Sequence, residues 1–249
     1  MDAVRNSVSF EITSDIALFT DIVTQIGGEK YSYQVPTYEA IKGALKSVYW
    51  KPSFVWIIDR IRVMNEIRTQ YIGTKTLSYV DGKTDLSYYT YLYDVRYQVS
   101  AHFEWNLNRP ELRNDWNENK HHNIAKRMIE RGGRRDVFLG SRECQAYVTP
   151  CDFGSGVGFY DDRGVIPFGL MLHGHTYPDE AVNASDLGLL TVNLWNAVMK
   201  NGIIEFPRPE DCPVRRAIRK MSMKKFSTDL RNFEFTDRGD LDELVSRLD

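Results

Sequence analysis

The chain is poor in cysteine, with three in 249 residues. So sparse and odd a set builds no disulfide scaffold and points to a reducing, cytoplasmic compartment. Cys144 and Cys151 are separated by six intervening residues and Cys212 is remote, unlike the tight pairs of structural zinc sites. No run of about 18 apolar residues occurs, so no membrane span is expected. The first residues, MDAVRNSVSFEIT, lack a basic stretch followed by an apolar one, which predicts no export signal. G-x-S-x-G and P-loop patterns are missing too, so those two nucleophile and phosphate-binding devices are excluded.

What is there reads as an ordinary globular chain, 42% apolar and 27% charged. Wholesale disorder, collagen and coiled coil are ruled out, and the length fits one large domain or two small ones. The net charge of −2 hides a pattern. Residues 109–142 hold nine Lys/Arg against five Asp/Glu, and residues 143–207 hold two against eight. Residues 208–225 hold seven against two, and 226–249 three against seven. Two basic blocks around an acidic one suggest a polyanion met from one side. Alternating solvated faces that pair with each other give the same pattern.

Val8, Phe10 and Ile12 alternate with polar residues and predict a strand. Turn-rich Gly27-Gly28 follows, and Pro36-Thr37 then opens a helix. Its apolar stripe is Ile41, Ala44, Leu45 and Val48, with Lys42, Lys46 and Tyr49 on another face, and Pro52 ends it. Phe54 to Ile58 reads as a central strand continuing through Val63. Residues 66–94, rich in tyrosine with an Asp81-Gly82 turn, predict a projecting β-hairpin. Val95 to Trp105 alternates as a further strand. Asn117 to Arg131 predicts a second helix with Gly132-Gly133 as its stop, and Gln145 to Val148 a last short strand.

The resulting β-α-β-(hairpin)-β-α-β order is the ferredoxin-like one shared with RNA-recognition modules. The expected class is therefore α+β: a ferredoxin-like domain over 1–152, then a small antiparallel β domain over 153–249. Its apolar pieces are Phe168 to Leu172, Leu187 to Met199 and Ile203 to Phe206, with a charged helix near Leu241 to Leu248. Gly154, Gly156 and Gly158 read as an interdomain turn and not a dinucleotide loop, and Asp161-Asp162 as another turn. His173-Gly174-His175, with Asp179 and Glu180, offers two imidazoles for a metal, but a surface turn fits as well.

Lys120-His121-His122 opens the second helix, where the positive helix end favours anions. A lysine and a histidine there can hold a phosphate and move a proton. A solvated helix start with one histidine packed inward is the alternative, since His121 points roughly 100° from Lys120, toward Ala125 and Met128. The ferredoxin-like topology brings the end of the first helix, and so Tyr49, beside Lys120 and His121. Lys120, Arg127 and Arg131 share a stripe. Arg134-Arg135 after two glycines suit close, bidentate phosphate contact, or are simply solvated after a helix stop. The expected RNA contacts are Lys42, Lys46, Arg127, Arg131, Arg134 and Arg135.

Several of these segments occur together in one family. They are Ala17 to Asp21, Gly27 to Lys30, Val48-Tyr49-Trp50-Lys51-Pro52, Tyr97 to Val99 with Ala101 to Phe103, Asn119-Lys120-His121, and Gly132 to Asp136 through Phe138 to Cys144. In this order they resemble the type I-C CRISPR-associated endoribonucleases, the Cas-five family of the Dvulg subtype. The resemblance implies metal-independent cutting of CRISPR repeat RNA at the base of its hairpin. It implies that the product then stays bound as guide RNA beside the other subunits of the interference complex. The family's catalytic tyrosine, lysine and histidine fall on Tyr49, Lys120 and His121. His122 stands where relatives can carry an aromatic. No cofactor or metal ion is implied. DNA is a further partner class, because some members cut DNA with a metal.

The chemistry suits these residues. RNA carries its own nucleophile, the 2′-OH, beside the scissile phosphate. Lys120 is assigned to charge stabilisation, His121 to proton transfer, and Tyr49 to orienting the nucleophile or sharing the proton work. Free tyrosine titrates near about 10, so a tyrosinate base needs a neighbouring cation such as Lys120. A non-catalytic guide-RNA-binding subunit and a metal-dependent DNA nuclease are the two competing readings.

Overall fold

The computed structural model describes residues 5–24, 29–77, 82 and 84–223. Gly27-Gly28, Tyr79, Asp81 and the helix expected near Leu241 to Leu248 lie outside them. In chain order the elements are β1 (Val8–Ala17), β2 (Lys30–Tyr31), α1 (Tyr38–Val48), β3 (Phe54–Val63), β4 (Arg68–Leu77), β5 (Thr84–Trp105) and α2 (Glu118–Glu130). There follow β6 (Val137–Phe138), β7 (Gln145–Pro150), β8 (Val165–Thr176), β9 (Leu189–Lys200), β10 (Ile203–Glu205) and β11 (Val214–Lys220). The fold is α+β and mostly antiparallel sheet. None of the described helices is long and apolar enough to cross a membrane.

The centre of the sheet runs β3-β5-β1-β7, antiparallel throughout. Alternation decides which face is covered. Phe10 and Ile12 of β1, and Tyr97, Val99, Ala101 and Phe103 of β5, are buried with Trp56 and Ile58 of β3. Ile41, Ala44, Leu45 and Val48 of α1 and Ala125 and Ile129 of α2 join the same cluster. Each fully buried large apolar side chain contributes about 1.5–3 kcal/mol, so this layer holds both helices against the strands.

Two sequence expectations change. The hairpin arm and the strand from Val95 are one 22-residue strand, β5. Its first half pairs with β4 from Leu77↔Thr84 to Arg68↔Tyr93, and its second half lies between β1 and β3. Asp94, at φ 51, marks the joint without ending the strand; a short aspartate tolerates this left-handed geometry. His173-Gly174-His175 is not a surface turn. It lies in β8, with His173 fully buried.

Strand pairing is continuous across residue 152. β10 pairs with β3 through Ile204↔Ile61 and with β9, which carries β8 and β11 on its sides. The glycine-rich stretch is a turn gripped from the sheet. The Arg62 guanidinium donates to the Ser155 and Gly156 carbonyls, each at 3.0 Å, and to Asp161 at 2.6 Å.

Candidate active site

Helix α1 is capped by Thr37, whose hydroxyl accepts from the Ala40 amide. It ends at Tyr49, whose own amide still bonds the Leu45 carbonyl at 2.9 Å while its backbone turns extended. The Trp56 indole donates to the Tyr49 carbonyl at 2.7 Å and fixes this exit. Helix α2 begins at Asn117, whose side chain accepts from the Lys120 amide at 3.0 Å. The cap sets where the first turn starts. It leaves Lys120 outward, with its side chain half exposed, and turns His121 inward.

Tyr49 and His121 meet across 72 positions of sequence: the Tyr49 hydroxyl lies 2.7 Å from His121 Nδ1. His121 Nε2 lies 2.8 Å from the Asp115 carbonyl, which can only accept. Nε2 therefore carries a proton, and in the neutral ring Nδ1 accepts the tyrosine hydrogen bond. The rings of Phe54, Phe103 and Trp105 surround the imidazole at centroid distances of 5.3, 6.3 and 5.8 Å. His121 is 0% exposed and Tyr49 3%.

Asp115 organises the open side. Its Oδ1 holds Lys120 Nζ at 2.6 Å, its Oδ2 accepts from the Ser53 hydroxyl at 2.9 Å, and Oδ2 lies 3.3 Å from His121 Nε2. Burial alone would raise this carboxyl, but the hydrogen bonds from Lys120 and Ser53 outweigh it and hold it below the usual range. Tyr49 moves the other way. Burial, and then the Asp115 charge, push its hydroxyl up to about 12, with Arg134 opposing. The cation that a tyrosinate base would need is thus not free beside Tyr49. Lys120 is engaged by Asp115, and Tyr49 keeps its proton.

Residues 7–207 match the Cas5d family model, described as CRISPR-associated protein (Cas_Cas5). The chain belongs to this family. It is 26% identical over 233 residues to the CRISPR pre-crRNA endoribonuclease Cas5d of Mannheimia succiniciproducens, covering 82% of this chain and 96% of that protein. The CRISPR pre-crRNA endoribonuclease Cas5d of Thermus thermophilus is 30% identical over 135 residues, 50% of this chain and 56% of the relative. A crystal structure of a CRISPR-associated protein superposes with a TM-score of 0.67 at 32% identity, covering 84% of this chain and 96% of that one. Tyr49, Lys120 and His121 all fall inside the part that matches the Cas5d family.

The expected RNA contacts divide. Arg127, Arg131, Arg134 and Arg135 are exposed, and none pairs with a carboxylate among the described residues. Gly132 and Gly133, at φ 84 and 120, turn the chain so that the Arg134 and Arg135 amides bond the Val48 and Ser47 carbonyls of α1. A Cβ on Gly133 would meet the Arg135 carbonyl at 3.0 Å. Lys42 is a correction: it is 2% exposed and its ammonium binds Glu180. Lys46 shares the same carboxylate at 2.8 Å but keeps part of its surface. Burial favours a neutral Glu180, yet the two lysines hold it below the ordinary carboxylate range. Sequence reasoning missed Asp115 and Ser53. An acid placed just before a helix cap, five positions from Lys120, was the available signal. His122 bonds the Ser7 carbonyl at 3.0 Å and stands apart from Tyr49.

Proposed function

We propose that this protein cuts CRISPR repeat precursor RNA near the base of its hairpin by attack of the RNA's own 2′-OH, without a metal ion. In this reading it then remains on the mature guide RNA as a cytoplasmic subunit of the type I-C interference complex. Residues 1–152 are read as a ferredoxin-like, RNA-recognition-like unit, which the β3-β5-β1-β7 order supports. The names of the curated relatives support the substrate class. The observation that carries the reading is the Tyr49–His121 hydrogen bond with Lys120 on the same helix turn.

The geometry suggests a relay. Tyr49 takes the 2′-OH proton as it passes its own to His121 Nδ1, so no free tyrosinate forms. Asp115 stabilises the imidazolium through Nε2. The 2′-oxygen bonds to phosphorus as the bond to the 5′-oxygen breaks, leaving a 2′,3′-cyclic phosphate. Lys120 neutralises the charge on the phosphate and offers a proton to the leaving oxygen. In this reading the RNA phosphate competes with Asp115 for Lys120, and the buried Tyr49 hydroxyl has to be uncovered to reach the 2′-OH.

That burial also favours a second reading, a non-catalytic subunit that holds guide RNA while Tyr49 and His121 serve packing. Incubation with repeat RNA in EDTA separates the two. Cutting with a cyclic-phosphate end is expected. Binding without cutting selects the second reading, and cutting of DNA alone, restored by metal, removes both.

A further inference from the structure

Of the five tryptophans, four are built into the fold. Trp56, Trp105, Trp116 and Trp195 each stack or edge against another ring. Trp50 does neither. It follows Tyr49 directly, is 46% exposed, and makes no ring contact or hydrogen bond among the described residues. A large apolar ring left in water without a structural partner is the informative kind of exposure.

Its surroundings are specific. Trp50 lines a shallow cleft of about 180 Å³ with Lys46, Ser47, Arg134 and Arg135. Trp50 and Lys46 also border a wider hollow with Phe54, Tyr177 and Met221. The indole thus borders two depressions. Arg134 and Arg135 have no carboxylate partner among the described residues, and their backbone amides are pinned to the end of α1. The two guanidiniums are exposed and electrostatically unsatisfied, on a loop whose backbone is tied to α1. The Arg134 amide bonds the carbonyl of Val48, the residue before Tyr49, which sets the cleft beside the candidate active site.

We infer that Trp50, Arg134 and Arg135 form a nucleotide subsite: the indole stacks on one unpaired base of the RNA strand, and the two arginines hold the phosphates beside it. A flat ring accepts any base face, while the arginines fix the backbone. The subsite rests on the endoribonuclease reading above and deepens it, because a base clamped next to Tyr49 positions the adjoining sugar and phosphate. The second depression, which Trp50 also borders, gives the neighbouring nucleotide room.

The test uses the full chain and repeat RNA made uncleavable by one 2′-deoxy sugar at the mapped cut. 2-Aminopurine replaces each unpaired base near the cut in turn. Wild type should quench the probe at one position. Trp50→Ala should lose that quench and bind about 5- to 150-fold more weakly, while Trp50→Phe keeps most of both. In the double variant Arg134→Ala, Arg135→Ala, the slope of log affinity against log salt should flatten by about 0.7 for each phosphate released. Trp50→Ala with the quench and affinity of wild type, in a protein that cuts repeat RNA normally, overturns the subsite and leaves the endoribonuclease reading standing. An unchanged salt slope overturns the part given to the arginines. A wild type that neither binds nor cuts repeat RNA overturns both readings.

Discussion

The molecule contains two completely buried histidines, His121 in α2 and His173 in β8, and they make an instructive pair. Each sits among aromatic rings, and each donates from Nε2 to a backbone carbonyl, Asp115 at 2.8 Å and Pro207 at 2.9 Å. They differ at the other nitrogen. His121 Nδ1 receives the Tyr49 hydroxyl, whereas His173 Nδ1 has no partner among the described residues. They differ also in what touches the ring. A carboxylate, Asp115, lies 3.3 Å from His121 Nε2 and holds Lys120. Tyr38 instead stacks on His173 at 4.3 Å with Trp195 and Phe206 at its edges, and Lys42 and Glu210 act on it only through space. Burial alone therefore does not mark a histidine as structural or chemical. A second polar partner and a route for charge do.

The sharpest way to break this comparison is to remove the second partner. Tyr49→Phe keeps the buried ring and deletes the hydroxyl. Single-turnover cutting of repeat RNA should fall about 10²–10⁴-fold, with RNA affinity nearly unchanged. His121→Gln should give a similar loss. A single 2′-deoxy sugar on the 5′ side of the cut should abolish cutting in wild type as well. If Tyr49→Phe cuts at the wild-type rate, the 2.7 Å hydrogen bond is packing, and His121 joins His173 as a structural residue.

The second test acts on His173 and reads stability. Burial pushes its imidazole down to about 4, with the Pro207 carbonyl opposing. The sign follows from proton binding. Between about pH 6.5 and the folded value, the unfolded chain takes up a proton that the folded chain refuses. Stability is therefore full at neutral pH and is lost as the pH falls through that window. About 2 kcal/mol should go between about pH 7 and pH 5, measured by urea unfolding. His173→Gln should be less stable at neutral pH and should lack this part of the acid limb. An acid limb of equal depth in both proteins would assign the loss to carboxylates, Glu180 first, since its depressed value also makes stability fall on acidification.

The contrast between the two histidines was only half legible in the sequence. Local periodicity placed both helices and the central strands, because a buried stripe leaves its spacing in the chain. The β-α-β-β-α-β order then put Tyr49 beside His121, a long-range contact inferred from topology and not from either segment alone. What stayed hidden depends on partners far along the chain. Lys42 looked like a surface cation because Glu180, which buries it, lies 138 residues away. His173 looked like part of a turn because Gly174 follows it, whereas it sits at a register shift of β8 between Leu172 and Gly174 that no local pattern encodes. Trp50 could not be separated from the packed tryptophans, since exposure of one ring is a property of the assembled surface.

The smallest expected effect concerns the hairpin, where the same question of partnered against open rings returns. Tyr71 of β4 and Tyr88 of β5 stack in parallel, 4.9 Å apart at 2°, yet are 60% and 37% exposed. As a cross-strand pair they add about 0.2–1 kcal/mol to the ribbon. Their outer faces remain free for unpaired bases, and Lys30 over Tyr89 and Arg68 over Tyr93 place cations along the same hairpin. Tyr71→Ala should thus weaken repeat-RNA binding by up to about tenfold, while single-turnover cutting at saturating protein stays at the wild-type rate. The hairpin would then contribute recognition, and the Tyr49–His121 junction chemistry. Loss of cutting at saturation with affinity intact would instead put part of the reacting machinery on β4 and β5, and the division between the two regions would have to be redrawn.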